Sequence, residues 1–93
     1  MIVIVAYDIA SDRRRTRLAT ALEAWGYRLQ ESLFQLHVST TDLVQVHAAI
    51  TQIIDADDDV VHVYPLCSAC VDRCTVHGTA PALDDAGLYT GLW

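Results

Sequence analysis

The chain opens on an almost unbroken apolar run, Ile2-Val3-Ile4-Val5-Ala6-Tyr7. No polar residue alternates with these, so the run predicts a strand buried on both faces and therefore interior to a sheet. Ser11 then stands where an N-cap is expected, with Asp12 in the first turn. Leu18, Leu22 and Trp25, with Ala21 beside them, recur at helical spacing. They predict a helix over about 12–25, stopped by Gly26 as its C′ residue.

Residues 27–38 are rich in strand formers but broken by Gln30-Glu31-Ser32. That predicts two short strands, about 27–31 and 33–38, joined tightly. Ser39-Thr40-Thr41-Asp42 caps a second helix running to about Ile54, with Leu43, Val46, Ile50, Ile53 and Ile54 as its apolar stripe. Asp55-Ala56-Asp57-Asp58-Asp59 reads as a turn, and Val60 to Tyr64 as a fourth strand ended by Pro65. Periodicity is weak over 67–93.

The order β-α-β-β-α-β predicts an α+β fold of the ferredoxin-like βαββαβ type, an antiparallel sheet with two helices on one face. In that topology the first strand is interior, which agrees with its apolar character. The opposite face is left bare, and a domain this small gains by burying it against a second copy, so a homodimer is expected. Residues 1–78 are expected to form the domain and 79–93 a C-terminal tail.

Composition narrows the setting. Apolar residues make up 53% of the 93, which excludes a disordered chain. No apolar run reaches the roughly 20 residues that span a bilayer, and no signal-peptide pattern is evident. A cytoplasmic protein with no membrane partner is expected. Three cysteines are an odd count, unsuited to a disulfide framework. The net charge of −6 argues against indiscriminate nucleic-acid binding. The distribution says more than the total. Five arginines lie between Arg13 and Arg28, and the chain has no lysine. Any phosphate contact is expected there, through planar guanidinium forks.

Asp8 sits where the first strand stops. A carboxylate beside apolar residues is costly unless it is paired, protonated or bound to a metal. One reading is a ligand for Mg²⁺, with Mn²⁺ as a substitute, since such ions take one or two carboxylates and keep several waters. A single chain offers one such carboxylate, and two chains about a twofold axis offer two. The other reading is a cap on the first helix, or a pair with a nearby arginine. Arg13, Arg14, Arg15 and Arg17 gather at the same strand end, either to meet phosphate or to neutralise nearby aspartates. Arginine at a helix N-terminus opposes the helix dipole, which favours the first of these. Arg28 could approach from the second strand.

The pattern Tyr7-Asp8-Ile9, Asp12, Arg15, Arg17 resembles the family of small CRISPR-associated adaptation proteins, the endonuclease-like partners of the CRISPR integrase. Arg28-Leu29-Gln30-Glu31-Ser32-Leu33-Phe34 is similar to a second block of that family, and Asp58 to Cys67 to its acidic turn and last core strand. The resemblance implies a ferredoxin-like homodimer with Mg²⁺ shared by two copies of Asp8. It implies metal-dependent cleavage of RNA or DNA during spacer acquisition or, alternatively, a non-catalytic scaffold that holds duplex DNA for the integrase. By position it carries over Tyr7, Asp8, Arg15, Arg17, Arg28, Ser32 and Phe34, with Asp8 as metal ligand, the arginines on phosphates and Phe34 bordering the site. Leu36 departs from the family, where a glycine is common.

Cys67, Cys70, Cys74 and His77 form C-x₂-C-x₃-C-x₂-H, a soft donor set that could hold zinc. The spacing is also that of a helix stripe, and four ligands on a straight helix cannot converge on one ion. Zinc is the less favoured reading. His47 falls on the stripe of the second helix and is expected to pack there. His37 and His62 lie in strands that could bring them together.

Overall fold

In the computed structural model of the chain, residues 1–79 and residue 83 are described. The elements are β1 (Ile2–Asp8), α1 (Asp12–Leu22), β2 (Gly26–Gln30), β3 (Leu33–His37), α2 (Thr40–Ile53), β4 (Val60–Leu66) and α3 (Ser68–Arg73). The sheet order is β2-β3-β1-β4, with every neighbouring pair antiparallel. That is the expected ferredoxin-like order, and β1 is interior because it pairs with β3 on one side and β4 on the other.

Alternation along β1 divides its residues between two faces. Val3, Val5 and Tyr7 enter one core cluster with Leu18 and Leu22 of α1, Phe34 and Leu36 of β3, and Val46 and Ile50 of α2. Phe34 is fully buried there. Removing its ring costs about 3–5 kcal/mol, a large share of what so small a domain can hold in reserve. Ile4, Ala6 and Asp8 alternate onto the other face. Across the ladder they stand opposite Tyr64, His62 and Val60. Val60 and Tyr64 remain 52% and 48% exposed, so the β4 side of this face is open in a single chain. Farther across, Ile4, Leu29, Gln30 and Leu33 join Cys74–Thr79 and Leu83 around a groove of about 590 Å³.

Four local expectations are corrected. First, α1 ends at Leu22 with Glu23 as C-cap, and the half-buried Trp25 packs on the core from outside the helix. Second, Gly26 is the first residue of β2 and not a left-handed helix stop. Its role is close approach, since a Cβ there would lie 1.9 Å from the carbonyl oxygen of Gln35. Third, β4 continues through Pro65 to Leu66. An edge strand needs ladder donors on one side only, so a proline is accommodated there. Fourth, residues 68–73 form a short helix where none was expected. Most of the tail expected at 79–93 lies outside the described residues.

Candidate functional site

The end of β1 meets the start of α1 in a short link, and Asp8 and Asp59, both at this end of the sheet, are treated oppositely. Ser11 caps α1, its Oγ accepting from the Arg14 amide at 3.3 Å. The cap sets the first turn so that Arg14 reaches Asp59 at the end of the acidic turn. Arg14 Nε donates to one Asp59 oxygen at 2.7 Å and Nη2 to the other at 3.1 Å. The amides of Ala10 and Asp55 also donate to Asp59, at 3.0 and 2.8 Å. The Asp59 side chain is sealed from solvent. Arg14 beside it, then these backbone amides, hold its carboxyl far below the usual carboxylate range. The pairing raises the Arg14 pKa in turn. The expectation that Arg14 meets phosphate is therefore corrected: its fork is occupied by Asp59.

Asp8 is exposed at the last position of β1, opposite Val60. Among the described residues its carboxylate takes part in no hydrogen bond or ion pair. It is not the cap of α1, which is Ser11, and it is not paired with arginine. Arg15 instead bonds to Asp12 and, at 3.1 Å, to the carbonyl of Ile9. Arg13 and Arg17 are exposed on α1, again with no partner among the described residues.

The β2–β3 connection supplies the rest. The register shifts between Arg28 and Gln30, a bulge that re-aims the strand. It leaves Arg28 over the Phe34 ring, 5.4 Å from its centroid, where the ring face attracts the cation. The Ser32 carbonyl accepts from the Tyr7 amide at 3.1 Å, and the Tyr7 hydroxyl donates to the Glu31 carbonyl at 3.3 Å. Burial raises the Tyr7 pKa against the opposing pull of Arg28 and Arg15. A cavity of about 170 Å³ is lined by Tyr7, Asp8, Ile9, Arg15, Glu31 and Ser32. A second, of about 210 Å³, shares Tyr7, Arg15 and Glu31 with it and adds Arg28.

The structure thus brings Tyr7, Asp8, Arg15, Arg28 and Ser32 around one strand end. Phe34 is corrected from a bordering residue to a buried support, because it has no exposed surface for a nucleic acid to touch. Sequence reasoning missed Glu31 as a lining residue and Asp59 as the partner of Arg14. Glu31 could have been found from its place beside Ser32; Asp59 is one of four aspartates in its turn and bears no distinguishing mark.

The cysteine-rich segment does not assemble as a four-ligand site. Among the described residues no group of three or more His, Cys, Asp or Glu side chains could hold a metal ion. Cys67 caps α3 and Cys74 ends it, so His77 lies beyond the helix. His47 is exposed and not packed. His37 stands opposite Ile2 on the β3 side of β1 and His62 opposite Ala6 on the β4 side, so they do not meet. His62 Nδ1 instead shares a 2.7 Å hydrogen bond with the Tyr64 hydroxyl.

Comparison with known proteins agrees with this architecture. The family described as CRISPR associated protein Cas2 matches residues 1–74. The CRISPR-associated endoribonuclease Cas2 3 of Synechocystis sp. is 30% identical over 84 residues, covering 90% of this chain and 91% of that one. The CRISPR-associated endonuclease Cas2 2 of Thermus thermophilus is 34% identical over 62 residues, covering 67% and 69%. The crystal structure of Streptococcus pyogenes Cas2 superposes with a TM-score of 0.74 at 29% identity, covering 84% of this chain and all of that one. A chain of a partial Cas6-RT-Cas1–Cas2 complex shares the fold, with a TM-score of 0.62 at 22% identity over 82% of this chain and 89% of its own. With a family match that runs from the first strand through α3, and relatives alike in sequence and in fold, the chain belongs to the CRISPR-associated Cas2 family.

Proposed function

We propose that this protein is a metal-dependent endonuclease of CRISPR spacer acquisition, acting in the cytoplasm as a homodimer alongside the integrase. The observation that carries the reading is Asp8, an exposed carboxylate at a strand end with no partner among the described residues, in a cavity with Arg15 and Ser32. Its hard oxygen donors fit Mg²⁺ or Mn²⁺. Among the described residues no group of three acidic or imidazole side chains surrounds it, so Asp8 of a second copy is the expected second carboxylate. Such an ion, when bound, polarises a phosphoryl oxygen and lowers the pKa of a water molecule.

The chain's own residues position the substrate. Arg15 and Arg28 line two cavities that share Tyr7 and Glu31, and their guanidinium groups suit a phosphate. Arg13 and Arg17 extend that positive surface along α1. The Tyr7 hydroxyl keeps its proton near neutral pH, because burial raises its pKa, and so it is a hydrogen-bond donor and not a base. Relatives bear the names endoribonuclease and endonuclease, so RNA and DNA substrates are the class. The integrase partner is supported by the Cas1-containing complex in which the fold neighbour occurs.

Asp8→Ala tests the reading. Cleavage of RNA or DNA in Mg²⁺ is expected to fall by about 100-fold or more, matching wild-type protein treated with chelator. Unchanged cleavage overturns it. A non-catalytic duplex scaffold is the second reading, favoured by the absence of any group of three or more acidic, imidazole or thiol ligands among the described residues. It predicts equal spacer acquisition by wild type and Asp8→Ala.

A further inference from the structure

The cysteines at the β4–α3 junction hold a second kind of chemistry. Cys67 Sγ and Cys70 Sγ are 3.3 Å apart, and Cys67 Sγ also accepts from the Cys70 amide at 3.4 Å. Cys67 and Cys70 are free and exposed. Cys74 is turned away, its thiol donating to the Cys70 carbonyl at 3.2 Å. The three thiols are thus sorted by geometry into a facing pair and a bystander. The S–S approach is short enough that a modest side-chain rotation brings the pair to bonding distance.

We propose that Cys67 and Cys70 form a reversible dithiol–disulfide site that reacts with small-molecule disulfides of the glutathione class. Cys67 is the attacking group. The Cys70 amide donates to its sulfur and the Cys70 thiol lies in contact with it, which together favour its thiolate, while the same contact disfavours ionisation of Cys70. The Cys67 thiolate attacks one sulfur of the small disulfide. A Cys67–S–S–R bond forms, the reagent's own S–S bond breaks, and one RS⁻ leaves. Cys70 then loses its proton and attacks the Cys67 sulfur, forming the internal disulfide and expelling the second RS⁻. The two protein thiols are oxidised and the reagent is reduced to two thiols, so protons and electrons balance.

The site lies at the end of the sheet away from Asp8. Leu66, next to Cys67, is in register with Ile2, whereas Asp8 is in register with Val60. The disulfide closes a small ring over residues 67–70, where β4 hands over to the first turn of α3. Its formation therefore leaves Asp8 untouched.

The test is alkylation of the full-length protein after equilibration with oxidised and then reduced glutathione, read by intact mass and peptide mapping. The expected result is two thiols lost together, an internal Cys67–Cys70 disulfide with Cys74 still alkylated, and full recovery on reduction. Cys70→Ser is expected to stop at a glutathione adduct on Cys67. Three alkylated thiols in oxidised glutathione, a pairing that includes Cys74, or only intermolecular disulfides would each overturn the proposal. Phosphodiester cleavage is a separate readout: its absence in wild type leaves the thiol result intact.

Discussion

Two aspartates at one end of the sheet show how differently a fold can answer a carboxylate. Asp59 is buried and receives hydrogen bonds from Arg14, Ala10 and Asp55. Asp8, which faces Asp59's chain neighbour Val60 across the ladder, has no such partner among the described residues. A satisfied buried charge ties the acidic turn to the start of α1 and has nothing left to offer a ligand. An unsatisfied one at the surface costs little to keep because water solvates it, and it remains available. Proximity to arginines did not decide which aspartate was paired; the capped helix turn did.

The largest expected break in this contrast comes from Asp59→Ala. It leaves a guanidinium and two backbone amides without their acceptor, and thermal melting is expected to show the greatest loss of stability among polar substitutions. Asp59→Asn keeps an acceptor for an amide and is expected to fall between. Asp8→Ala is expected to change stability by no more than about 0.5 kcal/mol in urea unfolding while cleavage is lost. The two aspartates thus separate on two independent measurements.

Acid sharpens the contrast further. The folded-state pKa of Asp59 is depressed, so its stabilising contribution is whole above the unfolded value of about 3.9 and is lost as pH falls from there toward the folded value. Urea midpoints are expected to drop below about pH 4, and to do so equally in Asp8→Ala, which retains the Arg14–Asp59 pair. The smallest effect is expected at Arg17. Arg17→Ala should reduce the salt dependence of nucleic-acid binding by about 0.7–0.9 in log–log slope, one phosphate's share, with unchanged melting. Arg14→Ala should lower melting instead, with little change in that slope.

Much of the fold was legible because its signals are local. The all-apolar β1, the Ser11 and Ser39 caps and the stripe of α2 each name an element, and their order names the topology. Asp8, Arg15, Arg28 and Ser32 were legible as neighbours because they fall at element ends that the topology gathers. What failed depended on contacts distant in sequence. Gly26 reads as a helix stop until β3 is known to press against it. Pro65 reads as a terminator until β4 is known to be an edge. Phe34 reads as a bordering aromatic until the core closes over it. The choice of Asp59 among its neighbouring aspartates required the position of Arg14, which no spacing supplies.

The contact at Gly26 has a consequence for how this site tolerates variation. The hairpin that carries Arg28, Glu31 and Ser32 is clamped at its base by a backbone crossing with room for a single hydrogen atom. Alanine there would wedge the strands apart and swing the whole loop, whereas many changes at the loop's own tip would leave its aim intact. In a library of variants, the most intolerant position of the hairpin should be the one with no chemistry of its own.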